Sequence, residues 1–358
     1  LTPAELAALR LCRTEGIGPA LQAQLLRRHG DAAEALRHLP ARFSPPPPRE
    51  VEREALALER LGGRFLFLGA PGYPALLAEI HDPPPVLALL GDPAALAPRA
   101  VAIVGARQAS GAGRQLAEEI AEGLAQAGLT VVSGLARGID AAAHLGALRG
   151  GRTVAVVAGG LDRPYPRENA ALQARIAAEG GAVLSEAPLG TAPLAQHFPK
   201  RNRIVAGLAL GVLVVEAAVR SGTLITARLA LEAGREVFAV PGHPKDPRSA
   251  GGNALIRDGA PLVENAQQVL DLLPDRPLSM PLLRERAERI APVRPAAEAS
   301  PPGDAAAQII ELLGHAPLAV DELERRCQLS GSALSAVLLE LELAGRVETL
   351  PGNRVALA

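Results

Sequence analysis

Between residues 99 and 273 the chain repeats one pattern. A short apolar run, often β-branched, is followed by a break rich in Gly and small polar residues, then by a longer Ala-rich stretch. The runs fall at 100–104, 129–132, 153–157, 182–184, 211–215 and 236–240. Each is apolar throughout rather than alternating, which suits strands buried on both faces of a parallel sheet. Their spacing, about 25–30 residues, is that of βαβ units. Between the first two runs, Leu116, Ile120 and Leu124 share one face of a helix expected over 114–127. The pattern predicts a doubly wound α/β domain, and little else fits a series of six such runs.

The flanks read differently. Residues 1–64 predict a module of short helices, with Glu15-Gly16-Ile17-Gly18-Pro19 as a turn between two of them. A Gly-Ile-Gly turn is the hairpin that helix-hairpin-helix modules use to offer backbone N–H groups to phosphate. Without a flanking Lys, a plain helix–helix turn is the better expectation here. Prolines 45–48 form a rigid spacer. Residues 65–98 are short apolar runs broken by prolines, expected as strands or loops that join the helices to the α/β part, which is taken as one domain over 65–273. The Pro-, Arg- and Ala-rich stretch 274–303 reads as a linker. Residues 304–358 predict helices at 305–313, 321–327 and 331–344 and a hairpin of 347–350 with 355–357, the order of a winged helix.

Charge excludes a polycation. The chain of 358 residues carries 37 Lys and Arg against 38 Asp and Glu, a net −1. Proteins that coat nucleic acid along their whole length are basic throughout. Residues 100–273 carry 17 basic and 15 acidic side chains, whereas residues 304–358 carry 4 and 8. A local basic groove remains possible, and its cations are almost all Arg, since Lys200 and Lys245 are the two lysines. Aromatics make up 2% of the chain, with no Trp, so a long ladder of stacking platforms is excluded. Cys12 and Cys327 form no metal-ligand pair, which fits a reducing compartment. No signal peptide is visible, no apolar run approaches the ~20 residues that span a bilayer, and the start at Leu1 suggests a trimmed end. A cytoplasmic protein is expected.

The chemistry gathers where the strands end. Gly105-Ala106-Arg107 follows the first run, Gly134-Leu135-Ala136-Arg137-Gly138 the second, and Ser221-Gly222-Thr223 comes after the fifth. Glycines let a ligand approach the backbone, and the helix N-termini that follow favour anions. A phosphate-bearing ligand is expected. Position 110, where a Walker A loop needs its second Gly, is Ser, and no Lys follows. Gly111-x-Gly113 is followed by Leu116 rather than the third Gly of a dinucleotide fingerprint. ATP hydrolysis by a P-loop is excluded, NAD is disfavoured, and no cofactor is called for. Phe198-Pro199-Lys200-Arg201-Asn202-Arg203 is the densest basic cluster and leads into an apolar helix over 204–208. Together with Arg107 and Arg137 it predicts a basic, Gly-lined pocket for phosphates. Phe198 and Tyr165 are candidates for stacking on a base, although Tyr165 between two prolines could equally be packing. Asp140, His144, Glu186 and Glu216 lie near strand ends. The bland reading puts Asp140 on a helix dipole and sets Glu216 to hold a basic neighbour. No nucleophile–His–Asp order appears and the histidines are scattered, so neither a catalytic nor a metal site is expected.

Taken together, these residues resemble the DNA-processing protein A family, DprA or Smf. The blocks are Ile103 to Arg107, Val132 to His144, Phe198 to Arg203, Ser221 to Ala227 and Val240-Pro241-Gly242, in the family's order over roughly 65–265. The resemblance implies an extended Rossmann-like domain between a helix-hairpin-helix (SAM-like) N-terminal module and a C-terminal winged helix. It implies a homodimer that binds single-stranded DNA without sequence preference and protects DNA imported in natural transformation. It further implies loading of the RecA recombinase, including against single-strand-binding protein, with no catalytic turnover. Carried onto this chain, the DNA site would comprise Gly105, Arg107, Gly134, Arg137, Gly138, Lys200, Arg201, Asn202, Arg203, Ser221, Gly222 and Thr223. The winged helix fits DNA reading poorly, because 331–344 holds no Lys or Arg and carries Glu340 and Glu342. Two other functions share such a Gly-rich edge. One is a phosphoribohydrolase of the lysine-decarboxylase-like type, whose Pro-Gly-Gly-x-Gly-Thr block is replaced here by Ala218-Val219-Arg220-Ser221-Gly222-Thr223. The other is a nucleotide-sensing Rossmann protein.

Overall fold

A computed structural model describes residues 1–96 and 99–274, then 305–313, 318–327, 334, 337, 338, 341, 346–350 and 354–357. These fall into two compact units, before and after residue 291.

The first unit opens with α1 (Pro3–Cys12), α2 (Pro19–His29), α3 (Ala32–Arg37) and α4 (Pro48–Arg60). Their starts are written in the sequence. Pro3, Pro19 and Pro48 each take a first-turn position, where a missing N–H costs nothing. Thr2 and Glu5 close a capping box on α1, and the Asp31 side chain accepts from the Glu34 N–H at the start of α3.

The sheet follows as β1 (Gly63–Phe67), α5 (Ala75–Ala78), β2 (Val86–Gly91), β3 (Ala100–Val104), α6 (Gly111–Gln126), β4 (Thr130–Ser133), α7 (Ile139–Gly150) and β5 (Thr153–Val156). It continues through α8 (Ala170–Ala178), β6 (Ala182–Ser185), α9 (His197–Gly207), β7 (Gly211–Val214), α10 (Gly222–Glu232), β8 (Glu236–Ala239), α11 (Ala250–Arg257) and α12 (Ala266–Leu272). The strand order is β1-β2-β6-β5-β4-β3-β7-β8. Strands β3 to β8 are parallel, as expected. Two antiparallel strands from the stretch expected as strands or loops join these six at one edge. There β2 runs antiparallel to β6 and β1 antiparallel to β2, so residues 65–98 extend the sheet instead of merely leading to it.

Alternate residues of one strand serve two cores. Ala102 and Val104 of β3 pack with Ile204 and Val205 of α9, while Val101 and Ile103 pack with Ile120 and Leu124 of α6. This double burial is why the strands read as unbroken apolar runs. Helices α6 and α7 approach backbone to backbone: a Cβ on Gly146 would overlap the Glu118 carbonyl oxygen, and one on Gly150 would lie 2.5 Å from that of Glu122. Arg235 is fully buried before β8, its guanidinium donating to the carbonyls of Leu76 at 2.6 Å and Gly207 at 3.4 Å.

The second unit holds α13 (Ala305–Leu313), β9 (Leu318–Ala319), α14 (Val320–Cys327), β10 (Val347–Leu350) and β11 (Arg354–Leu357), with strand order β10-β11-β9. Ile309, Leu313, Leu323, Val347 and Val355 form its core with Leu334, Val337 and Leu341. Those last three fall within the expected helix 331–344, most of which lies outside the described residues. So does the expected linker beyond residue 274.

The α6–α7 contact gives a direct test. Gly146→Ala adds about 1 kcal/mol of helix propensity. The methyl group meets backbone that cannot yield, a penalty of about 1–3 kcal/mol or more. The variant is therefore expected to unfold at lower urea concentration than the parent chain.

Candidate functional site

Strand order reverses between β3 and β7, and a crevice opens at such a reversal beyond the carboxyl ends of the strands. Here it is a cavity of about 500 Å³. Gly105, Ala106 and Arg107 line it after β3, Gly134 and Ala136 after β4, and Ser221, Gly222 and Thr223 at the start of α10. Helix α9 adds Phe198, Arg201 and Asn202, and Tyr165 stands at the rim. Hydrogen bonds tie the walls together. The Thr223 hydroxyl donates to the Gly105 carbonyl at 3.2 Å, and the Asn202 amide to that of Gly222 at 3.4 Å.

Helices α6, α7 and α10 begin beyond the ends of β3, β4 and β7, and two of the three already hold an anion from the chain itself. At α6 the Ser110 hydroxyl and N–H both donate to the Glu216 carboxylate, at 2.6 and 3.0 Å, while the same hydroxyl caps the Gly113 N–H. Glu216 thus anchors the N-cap residue of α6, and its charge also acts on Arg248. Near the start of α7 the Asp140 carboxylate accepts from the N–H groups of Gly134 at 3.1 Å and Ala136 at 3.3 Å. Among the described residues the N-terminus of α10 has no side-chain cap, and the buried Ser221 hydroxyl oxygen beside it has no partner. That end remains open to an incoming anion.

The basic cluster does not act as one patch. It occupies the first turns of α9, so successive side chains diverge by about 100°. Arg201 points into the fold, where its guanidinium donates to the carbonyls of Gly134 and Val156. Gly134 must be Gly, because a Cβ there would overlap that guanidinium. Burial pushes Arg201 down to about 10, opposed by Asp140, and the positive charge of Arg107 adds to the fall. Burial raises Asp140, and Arg201 with neighbouring backbone N–H groups pulls it back. Arg203 turns toward Asp82, at 2.9 Å, and Glu186, at 2.7 Å. Lys200 is exposed and borders a different cleft.

Expected site residues therefore divide. Gly105, Arg107, Gly134, Arg201, Asn202, Ser221, Gly222 and Thr223 line the crevice with Phe198 and Tyr165, whereas Arg137, Gly138, Lys200 and Arg203 do not. Arg137 is exposed and paired with Glu168. Gly138 makes the turn into α7 at φ +74°, with the Ala106 carbonyl oxygen where a Cβ would stand. Arg107 is the exposed cation of the crevice, its guanidinium 5.0 Å from the Phe198 ring centre. Tyr165 meets the same ring edge-on at 5.8 Å. Thr226, from the Ser221 to Ala227 block, also lines the cavity, as do Pro193 and Ala195, which carried no signal in the sequence.

The acid–base candidates are structural. His144 is fully buried. The Thr153 hydroxyl donates to the Val131 carbonyl and accepts from His144 Nδ1 at 2.7 Å, while the buried Nε2 has no partner among the described residues. Glu186 is bound to Arg203. Among the described residues no three His, Cys, Asp or Glu side chains are placed to hold a metal ion, and no helix is long and apolar enough to cross a membrane.

Burial and the charge of Arg201 push His144 down to about 3 from 6.5. Above 6.5 neither the folded nor the unfolded form holds the proton. As the pH falls toward 3 the unfolded chain alone takes it up. Stability is thus lost on acidification, by up to about 1.4 kcal/mol per pH unit. Urea midpoints measured at pH 7, 5 and 4 should fall less steeply for His144→Asn, whose amide can still donate to Thr153.

Residues 64–274 match the family described as DNA recombination-mediator protein A, residues 293–353 the DprA winged helix domain and residues 3–57 the DprA-like N-terminal HHH domain. Protein Smf of Escherichia coli (strain K12) is 39% identical over 324 residues, covering 88% of this chain and 83% of the relative. The DNA processing protein DprA of Bacillus subtilis (strain 168) is 40% identical over 255 residues, or 71% and 84%. The X-ray structure of DprA from Streptococcus pneumoniae aligns with a TM-score of 0.64 at 36% identity, covering 76% of this chain and 99% of that one. DNA processing protein A from Helicobacter pylori, whose structure was solved to explain its single-stranded DNA binding mode, aligns at 0.53 and 31% identity, covering 58% and 95%. On its helical N-terminal module, its extended sheet and its winged-helix unit alike, this chain belongs to the DNA processing protein A (DprA/Smf) family of recombination mediators.

Proposed function

We propose that the chain binds single-stranded DNA without sequence preference in the crevice between β3 and β7. In this reading it protects incoming strands in natural transformation and loads RecA onto them in the presence of single-strand-binding protein, working in the cytoplasm as a homodimer. One observation carries the DNA site: the uncapped N-terminus of α10 faces a cavity whose exposed cation, Arg107, lies over an aromatic ring. Backbone N–H groups and a guanidinium suit a phosphate, and Phe198 and Tyr165 offer a face to any base. The Helicobacter pylori relative supports the same ligand class.

We also propose that the crevice performs no chemistry. A phosphoribohydrolase needs a carboxylate free to act on the sugar. Glu216 is consumed in capping α6, Glu186 in holding Arg203, and Asp140 accepts from two N–H groups. The sensing of a small nucleotide has no comparable observation in its favour.

Binding of fluorescent oligo-dT across a salt series tests the site. Arg107→Ala should weaken binding and reduce the slope of log K against log salt by about 0.7, the value of one single-strand phosphate contact. Phe198→Leu should weaken binding by about 1–3 kcal/mol with the slope unchanged, since stacking releases no counterions. Affinity unaltered in both variants would remove the crevice as the DNA site. Incubation with AMP should release no adenine; release at enzymatic rates, lost in Glu216→Gln, would favour the hydrolase.

A further inference from the structure

The N-terminal module carries a groove of its own, with a volume of about 420 Å³, which shares no lining residue with the β3–β7 crevice. Two helix faces form it. Helix α1 contributes Pro3, Leu6, Ala7 and Arg10, the i, i+3, i+4, i+7 spacing of one helical stripe. Helix α3 contributes Ala33, Leu36 and Arg37, spaced in the same way, and Pro45 completes the lining. Stripes of this kind ordinarily pack against another element. Leu9 and Leu11 of α1 do so and are fully buried, whereas Leu6 and Leu36 are only half-buried and Ala33 is exposed. The groove thus follows two turns of α1, about 10 Å, over an apolar floor.

Its charge narrows what can cover that floor. The lining holds two arginines and no carboxylate. Arg10 Nε donates to the Pro46 carbonyl at 2.9 Å, a neutral acceptor, and among the described residues no ion pair cancels its charge. Arg37 meets Glu34 at 2.8 Å with its side chain 68% exposed, and an ion pair so open to water is weak enough to be exchanged for another carboxylate. A nucleic acid would answer the cations but not the floor, since no aromatic ring lines the groove for a base to stack on. Apolar side chains for Leu6 and Leu36, with carboxylates for Arg10 and Arg37, describe an acidic amphipathic peptide laid into a groove between helices.

We propose that the α1–α3 groove docks an acidic amphipathic segment of a protein partner, and that it does so whether or not the crevice holds DNA. Docking there is independent of the DNA site and gives the N-terminal module a role in recruiting a partner protein.

Full-length protein is titrated into a fluorescent synthetic peptide of about 12 residues, with Leu at i, i+3, i+4 and i+7 and Glu on both flanks of that stripe. Binding should be saturable, and the same peptide with Lys in place of Glu should bind several-fold more weakly. Ala33 is exposed at the second position of α3, where a carboxylate favours the helix, so Ala33→Glu should unfold no earlier than the parent chain. Ala33→Glu and Arg10→Gln should each weaken binding of the Glu peptide several-fold. Ala33→Gln, similar in size but uncharged, should keep most of the affinity. Saturating oligo-dT should leave peptide binding unchanged. The groove is overturned if Ala33→Glu and Arg10→Gln bind the Glu peptide as tightly as the parent, or if Ala33→Gln loses as much as Ala33→Glu. It is equally overturned if the Lys peptide binds as well, or if oligo-dT displaces the Glu peptide, which would put the peptide in the basic crevice. Arg107→Ala should weaken oligo-dT and leave the peptide unaffected, so that failure of one site is read apart from failure of the other.

Discussion

A single buried guanidinium organises the functional edge of this protein. Arg201 reaches from α9 to the carbonyls of Gly134 and Val156 at the ends of β4 and β5, beside Asp140. Taking a charge out of water costs several kcal/mol, and it is tolerated where an opposite charge and good hydrogen bonds offset it. Those demands propagate outward. Gly134 must lack a Cβ, Asp140 must remain the counter-ion, and α9 must lie across the strand ends. So held, Arg201 stands between the crevice and the cleft that Lys200 borders, with one terminal nitrogen spent on the protein's own carbonyls.

The same economy governs the helix ends. Glu216 and Asp140 fill two backbone anion sites with the chain's own carboxylates, which leaves α10 open beside Arg107. A phosphate held by N–H dipoles and a few guanidiniums needs little net charge, so a chain at −1 overall can still offer a ligand site of the opposite character. Few as the aromatics are, Phe198 and Tyr165 stand together in the crevice, where Arg107 lies against the Phe198 ring.

Legibility in the sequence followed physical context. The six parallel strands were readable to within one or two residues because both faces of each are buried and the apolar run is continuous. The antiparallel strands β1 and β2 were harder, since prolines interrupt the segment and pairing with β6 brings together residues almost a hundred positions apart. The cluster from Phe198 to Arg203 looked like one basic surface because sequence displays neighbours side by side. A helix turns each residue by about 100°, so Asn202 went to the crevice, Arg201 inward and Arg203 to Asp82 and Glu186. Helical periodicity across 197–207 was the available signal, and the carboxylates that attract Arg203 were not.

Sequence alone determined the family, the strand–helix alternation and the glycine-rich strand ends, because local propensity and spacing encode them directly. Only the tertiary structure decided which charges are free. Whether a guanidinium or a carboxylate can meet a ligand depends on partners far away in the chain: Asp82 for Arg203, Ser110 for Glu216, Glu168 for Arg137. Those pairings form when the sheet folds, and they leave Arg107 and the start of α10 to receive whatever the crevice holds.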